Sequence, residues 1–229
     1  MPLKIIFMGT PEFSVPTLET LINSEHKVLT VYSQPASKAN RGQRIIPSSV
    51  ETFAKTHSLI LRTPGNLDND EEYNYLKKLE PDIVVVIAYG KIIPKRFLNL
   101  AKFGFINVHA SLLPKWRGAA PIQRSIMNLD SQTGISIMKI VEELDSGPVM
   151  HQDKIQINEK IDSLTLSKVL SKLGASSIIN VLNKIEKGEA RFQEQKHSEA
   201  TYAKKISKLE GKINWNQSAK KVLAKINGL

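Results

Sequence analysis

Three polar side chains in the middle of the sequence have the types that acyl transfer to an amine requires. Asn107 and His109 are two residues apart in FINVHASLLP, and Asp145 follows in VEELDSGPV. An imidazole takes or gives a proton near neutral pH, and an amide donates a hydrogen bond to an oxyanion without competing for that proton. A carboxylate orients the imidazole and stabilises its charged form. Together these residues predict an acid–base site.

Each of the three residues alone also has an ordinary structural explanation. An Asn-x-His triplet can simply end a strand and satisfy the backbone of the following turn. An Asp in a Ser-Gly-Pro turn more often caps local backbone N–H groups. The combination of Asn107, His109 and Asp145 is therefore the basis of the prediction.

Short apolar, β-branched segments must form the sheet that positions these residues. Lys4 to Met8, Val28 to Tyr32, Ile83 to Ala88 and Phe103 to Val108 are such segments, and Gly134 to Val141 is a further strand. Continuous apolar runs are typical of strands buried on both faces, as in a parallel sheet. On the Phe103 strand, side chains two apart share a face, and ligands bind at the carboxyl ends of such strands. The pattern therefore places the polar pair where a ligand would bind.

Helical patterns lie between and after the strands. Ser14 is placed to cap a first helix, and the apolar spacing after Asp162 predicts one long helix. A last helix is predicted to carry an apolar stripe of Trp215, Ala219, Val222, Leu223 and Ile226. The whole pattern indicates an α/β fold, Rossmann-like and doubly wound with a mostly parallel sheet, followed by a C-terminal helical linker.

A net charge of +10 suggests an anionic partner. Residues 184–229 contain eleven Lys or Arg and five Glu. A second, acid-free basic stretch from residue 34 to residue 47 contains Lys38, Arg41 and Arg44. Solvation of an ordinary surface explains such charge equally well, so charge alone does not identify RNA.

Composition excludes several classes of protein. With 229 residues, 41% of them hydrophobic, the chain can bury a sizeable core, and no apolar run reaches the roughly 18 residues needed to cross a bilayer. The absence of cysteine excludes disulfides and thiolate nucleophiles and fits a reducing compartment, so we expect a cytoplasmic protein without a membrane partner. GTPEF is not the glycine fingerprint of dinucleotide sites, and the scattered histidines predict no metal.

The motifs and their order resemble the folate-dependent formyltransferase family. The resemblance is carried by MGTPEF, AYGKIIP, the Asn-x-His triplet, SLLP, WRGAAPIQRSI and LDSGP. Within the family, WRGAAPIQRSI, the basic insertion QPASKANRGQRIIPSSV and the connector TYAKKISKLEGKINW are similar to the branch that acts on initiator methionyl-tRNA. The resemblance covers nearly the whole chain.

The resemblance implies a formyl transfer from 10-formyltetrahydrofolate to the amino group of initiator methionyl-tRNA. It makes Asn107, His109 and Asp145 the catalytic residues, with no metal. The implied folate-binding residues are Ile87, Ala88, Tyr89, Ser111, Leu112, Leu113, Pro114, Val141, Glu142, Glu143 and Leu144. The implied tRNA-binding residues are Lys38, Arg41 and Arg44, with Arg41 as the first choice.

The resemblance also divides the chain. Residues 1–188 correspond to the family's catalytic domain, and residues 189–229 to a basic linker and the start of a C-terminal region. The family continues from there into a small β-barrel that this sequence does not contain, so either a shortened chain or a shortened natural product is expected. We expect a monomer.

Three other functions are compatible with the same residues. Related formyltransferases act on amino sugars linked to nucleotides and often lack the barrel. A shortened chain could also bind tRNA or a partner without turnover. A hydrolase that acts on the folate alone is the weakest of the three.

Overall fold

A computed structural model describes residues 1–39 and 44–229. Its strands are β1 (Lys4–Gly9), β2 (Lys27–Tyr32), β3 (Ser37–Ala39), β4 (Arg44–Ile46), β5 (Leu61–Arg62), β6 (Ile83–Ile87), β7 (Phe105–His109), β8 (Arg117–Gly118), β9 (Gln132–Lys139), β10 (Val149–Gln156) and β11 (Tyr202–Ala203). Its α-helices are α1 (Val15–Ile22), α2 (Ser49–Thr56), α3 (Asp70–Leu79), α4 (Pro121–Met127), α5 (Ser163–Glu186) and α6 (Ala219–Gly228). Short 3₁₀ helices span Glu12–Ser14, Lys95–Phe97, His197–Glu199 and Lys208–Gly211.

Seven strands form the central sheet in the order β10-β9-β7-β6-β1-β2-β5. The strands from β7 to β5 are parallel, whereas β9 runs antiparallel to both β7 and β10. The chain builds outward from β1 to β2 and β5, then returns to the other side of β1 with β6 and β7. The predicted doubly wound, mostly parallel sheet is confirmed.

Both faces of the sheet are buried, as the continuous apolar strands predicted. In β1, Ile5 and Phe7 pack into a core beneath α1, α2 and α5. Ile6 and Met8 point to the opposite face, into a second core that includes Leu76 of α3. Alternate side chains of one strand therefore stabilise two separate layers.

Local signals at the helix starts were predicted with mixed success. The long helix α5 begins after Asp162 as predicted, and Asp162 caps it, since its carboxylate accepts a hydrogen bond from the backbone N–H of Thr165 at 2.7 Å. Ser14 precedes α1 but makes no side-chain cap. Its hydroxyl donates instead to the carbonyl of Ile87 at 2.7 Å. The predicted cap was wrong because this tertiary contact between the start of α1 and the end of β6 engages the hydroxyl.

The last helix packs on α4 through small residues, not through the predicted stripe. Ala224 and Gly228 are buried, and a Cβ on Gly228 would lie 3.2 Å from the carbonyl oxygen of Gln123. Trp215, Leu223 and Ile226 of the predicted stripe are exposed. Close approach of two helix backbones requires small side chains at the contact. A stripe of large apolar residues does not reveal such a contact.

Among residues 1–39 and 44–229, no helix has the length and apolar character that crossing a membrane would require.

Candidate active site

A cavity of about 860 Å³ opens where the strand order reverses, at the carboxyl ends of β1, β6 and β7. Its walls come from Pro11 and Phe13 after β1, residues 88–93 after β6, the end of β7, the start of α4 and residues 140–145. Doubly wound folds bind ligands at this topological position, and the volume is that of a small-molecule site. The cavity is therefore the candidate active site.

Strand β7 brings Asn107 and His109 to the same cavity. Ile106 and Val108 pack into the core beneath α1 and α5, so the intervening polar residues face the other way. Asn107 is half-buried, and His109 is 6% exposed. The alternation that the sequence predicted for this strand is present.

The imidazole of His109 lies between a backbone carbonyl and a carboxylate. Its Nε2 is 2.8 Å from the carbonyl oxygen of Trp116, and its Nδ1 is 3.7 Å from Oδ2 of Asp145. The second distance is too long for a hydrogen bond but short enough for a strong charge interaction with an imidazolium. The ring is thus oriented by the protein, and in its protonated form it would lie within ion-pair distance of Asp145.

The carboxylate of Asp145 is held by the loop after β7. Its Oδ2 accepts a hydrogen bond of 2.7 Å from the backbone N–H of Gly118. Asp145 itself has a left-handed backbone with φ of 48°, which non-glycine residues rarely adopt. Such strain persists where the surrounding structure enforces it and is common at functional sites.

Residues 88–93 form one wall of the cavity. The carbonyl of Tyr89 accepts hydrogen bonds from the hydroxyl of Thr10 at 2.8 Å and the side-chain amide of Gln34 at 2.9 Å. Burial, together with the nearby charge of Glu72, raises the pKa of Tyr89 to about 12. The Tyr89 hydroxyl is therefore neutral near pH 7, and Ala88, which has a left-handed φ of 45°, lines the cavity beside it.

Residues 141–144 form the facing wall. Val141, Glu142, Glu143 and Leu144 all line the cavity, and the apolar side chains of Val141 and Leu144 are partly exposed there. An exposed ion pair between Glu142 and Lys95 joins this wall to the segment after β6. A flat apolar ligand could lie between the two walls, with its polar edges facing backbone groups.

Five of the residues implied for folate binding lie elsewhere. Ile87 is fully buried in the core. The segment Ser111–Pro114 turns away from the cavity, because the Ser111 hydroxyl donates to the carbonyl of Lys115 and its own carbonyl accepts from the hydroxyl of Ser136. Leu113 and Pro114 line a separate cavity of about 300 Å³ beside β10. The structure places none of these five on the main cavity, and their role stays a prediction.

The basic insertion contains the β3–β4 hairpin, in which Lys38 pairs with Ile45 and Ala39 with Arg44. Arg44 is exposed. Arg41 lies outside the described residues.

Several contributors to the site could not be found from the sequence. The N–H of Gly118 and the carbonyl of Trp116 are backbone groups, whose positions no residue type reveals. Gln123 lines the cavity from the start of α4.

The described part of the chain contains no group of three or more His, Asp or Glu side chains placed to hold a metal ion.

Comparisons with known proteins identify the family. The model of a family described as formyl transferase matches residues 3–182, which include the whole of β1 to β10 and most of α5. The chain belongs to the formyl transferase family. Formyl transferases take their one-carbon group from 10-formyltetrahydrofolate, which agrees with the predicted donor. The predictions of this family and of an enzyme are confirmed.

Curated formyl transferases are similar over the whole chain. The chain is 53% identical over 230 residues to the methionyl-tRNA formyltransferase of Pelagibacter ubique, covering 100% of this chain and 74% of that protein. It is 46% identical to the methionyl-tRNA formyltransferase of a Sulfurihydrogenibium species, covering 99% of this chain and 73% of the relative.

Among solved structures, the N-formyltransferase of Helicobacter canadensis matches with a TM-score of 0.76 at 17% identity, covering 99% of this chain and 80% of that one. That structure is a complex with folinic acid and dTDP-3-aminofucose. At this level of identity, the likeness shows the fold.

Proposed function

We propose that this chain transfers a formyl group from 10-formyltetrahydrofolate to the amino group of initiator methionyl-tRNA. The names of the relatives that match over the whole of this chain, and their high identity to it, support this acceptor. The observation that carries the proposal is the meeting of Asn107, His109 and Asp145 at one cavity at the carboxyl edge of the sheet.

The geometry suggests a role for each of the three residues. The acceptor amine attacks the formyl carbon, and negative charge develops on the formyl oxygen. The Asn107 amide and a protonated His109 stabilise that charge, while Asp145 stabilises the imidazolium. The bond between the formyl carbon and the donor nitrogen then breaks, the attacking amine loses a proton, and the departing nitrogen takes one up. No covalent bond to the protein is needed.

The cavity fits the donor in size and character. Its 860 Å³ lies within the range of small-molecule sites. We assign the donor to the space between Ala88 and Tyr89 on one wall and residues 141–144 on the other. There, apolar side chains can cover a flat ring, and backbone groups can bond to its edge. Bound there, the donor supplies the formyl group beside β7.

We assign tRNA contact to the basic insertion, with Arg41 first and Lys38 and Arg44 as neutralisers of phosphate. We also retain the division into a catalytic domain of residues 1–188 and a basic linker of residues 189–229.

The test is transfer of labelled formyl from 10-formyltetrahydrofolate by the 229-residue chain, with charged initiator tRNA, uncharged tRNA and free methionine as parallel acceptors. We expect label on the charged tRNA alone. Label on none of the acceptors, with the folate intact, would contradict the proposal, and release of free formate would indicate a folate hydrolase.

An amino-sugar nucleotide is the alternative acceptor. It is favoured by the similarity in fold to the Helicobacter canadensis enzyme. A panel of amino-sugar nucleotides in the same assay separates the two acceptors. Label on a sugar at a higher rate than on methionyl-tRNA would replace the proposed acceptor and leave the chemistry in place.

A further inference from the structure

Gln195, in the segment after α5, has a buried side chain whose amide nitrogen and amide oxygen both make hydrogen bonds. It is 7% exposed. Its amide nitrogen donates to the backbone carbonyls of Asp145 at 2.9 Å and Gly147 at 2.7 Å. Its amide oxygen accepts from Arg117, at 3.1 Å from Nε and 2.8 Å from Nη2. One side chain thus joins the turn of Asp145 to the loop that follows β7.

Arg117 depends on Gln195 in turn. Its side chain is almost fully buried, and no carboxylate in the described residues lies within ion-pair distance of the guanidinium. Its other neighbour is the Nδ1 of His197, at 3.5 Å. A buried guanidinium needs acceptors, so the bidentate contact fixes both side chains. Arg117 immediately precedes Gly118, whose N–H donates to the Asp145 carboxylate.

The turn that contains Asp145 needs such external support. Asp145 is in the left-handed region, which costs a non-glycine residue roughly 1–3 kcal/mol. The two carbonyls that accept hydrogen bonds from Gln195 belong to the residues on either side of Ser146. These hydrogen bonds therefore fix the backbone before and after Ser146. Inside the turn, the hydroxyl and N–H of Ser146 reach the carbonyl of Glu143, which does not link the turn to the rest of the protein.

The same segment also supports the His109 side of the site. The carbonyl of Thr201 accepts from the N–H of Arg117 at 2.8 Å, and its hydroxyl accepts from the N–H of Trp116 at 2.9 Å. The carbonyl of Trp116 contacts His109. Strand β11 then pairs with β8. Residues 195–203 therefore support the backbone groups that hold both His109 and Asp145.

We propose that Gln195 is a positioning residue for the reaction: through the carbonyls of Asp145 and Gly147 it fixes the turn that places the Asp145 carboxylate beside His109. Gln195 does not line the main cavity, so it acts through Asp145 and not on a substrate. This inference rests on the proposed function of Asp145. It makes the segment that follows the catalytic domain a part of the active site.

Gln195→Glu is the informative variant. A glutamate retains the length and the acceptor for Arg117, but it has no N–H to donate to the two carbonyls. The matched control is Gln193→Glu, because Gln193 is exposed and two positions earlier in the same segment. If Gln195→Glu does not fold, Arg117→Lys serves instead. A lysine keeps the positive charge but cannot donate two hydrogen bonds to the amide oxygen of Gln195 as the guanidinium does.

The first readout is turnover, measured in two backgrounds with methionyl-tRNA as the acceptor. We expect Gln195→Glu to lower kcat by about tenfold, with KM for donor and tRNA unchanged, because a misplaced catalytic group affects the rate and not binding. In an Asp145→Ala background the same change should lower the residual kcat by less than about twofold. Gln193→Glu should match the parent in both backgrounds.

The second readout is amide hydrogen exchange of the free protein, which needs no donor or acceptor. In Gln195→Glu, exchange of the turn spanning residues 143–147 should accelerate by about tenfold, while exchange of β1 and β6 should not change. Gln193→Glu should leave the turn as it is. Unchanged exchange in the turn would overturn the positioning role.

Further results distinguish this inference from the proposed function. A normal kcat for Gln195→Glu, or an equal loss with and without Asp145, would overturn the inference while leaving the function standing. A normal kcat for Asp145→Ala would overturn both, because the carboxylate would then have no role for Gln195 to support.

Discussion

At the scale of single residues, the geometry of the candidate active site depends on Gly118. Its N–H donates to Asp145, and its φ of 111° is a conformation that L-residues rarely adopt. A Cβ at this position would lie 3.0 Å from the carbonyl oxygen of Ala203 in β11. A glycine is therefore required both for the backbone conformation and for the close approach of β11.

Gly118→Ala should impair both stability and catalysis. We expect the free energy of unfolding to fall by about 1–3 kcal/mol, measured by urea denaturation, because of the strained φ and the contact with Ala203. The kcat of the folded fraction should fall as well, because the N–H that holds Asp145 moves. Gly188→Ala is the control: Gly188 also has a positive φ, of 71°, but no atom within 4 Å of the added Cβ. Equal turnover in the two variants would contradict the role of Gly118.

The sequence predicted the side chains of this site better than its backbone. Asn107 and His109 alternate with apolar residues on one strand, and that pattern is readable. The contacts from Gly118 and Trp116 involve main-chain groups, and Gln195 lies far from Asp145 in the sequence. Such contacts depend on tertiary structure, which no local pattern contains.

At the scale of elements, a buried polar network joins β2, β5 and α3. The hydroxyl of Tyr32 and the guanidinium of Arg62 both donate to the carboxylate of Glu72, each at 2.7 Å or less. Burial alone would raise the pKa of Glu72, but the hydrogen bonds from Arg62 and Tyr32 outweigh it and hold the pKa below the ordinary value. Glu72 is therefore charged in the folded protein.

Glu72→Gln should destabilise the fold in a pH-dependent manner. A carboxyl whose pKa is lowered by folding stabilises the protein above the ordinary value of about 4.5, and that contribution is lost as the pH falls below it. We expect a loss of about 2 kcal/mol at pH 7, measured by urea denaturation, that shrinks as the pH falls below about 4.5. Glu71→Gln is the control, because Glu71 contacts the same arginine but is largely exposed. A loss independent of pH would show that packing, not charge, explains the effect.

Element prediction succeeded where periodicity determines the structure. The apolar strands and the long helix α5 follow directly from their residues. The apolar stripe of α6 was predicted without a statement of what covers it, and within the described residues α6 packs on α4 through Ala224 and Gly228. The family resemblance implied a folate-binding role for Ser111–Pro114, but hydrogen bonds of this segment turn it towards β10, and its role stays a prediction.

At the scale of the whole molecule, the proposed function requires that the positive charge and the cavity serve one large substrate. The β3–β4 hairpin follows the carboxyl end of β2, and the cavity opens at the same edge of the sheet. A tRNA bound to the hairpin could therefore present its aminoacyl end to the cavity. The hypothesis assigns phosphate contact to the hairpin and chemistry to β7.

Arg44→Ala should weaken the use of tRNA without affecting the donor. We expect KM for methionyl-tRNA to rise severalfold and the slope of log affinity against log salt to become shallower by about one, because one phosphate contact is lost. Lys27→Ala at the amino end of β2 is the control. An unchanged salt slope would exclude Arg44 from the tRNA interface.

The most direct test of the whole account is single-turnover formyl transfer to methionyl-tRNA by the parent chain and by His109→Ala, with donor binding measured in parallel. We predict that His109→Ala lowers the rate of transfer by about 100-fold or more while donor affinity stays within twofold, because the imidazole acts on the developing charge. A folded His109→Ala protein that transfers formyl at the parent rate would contradict the assignment of chemistry to this cavity.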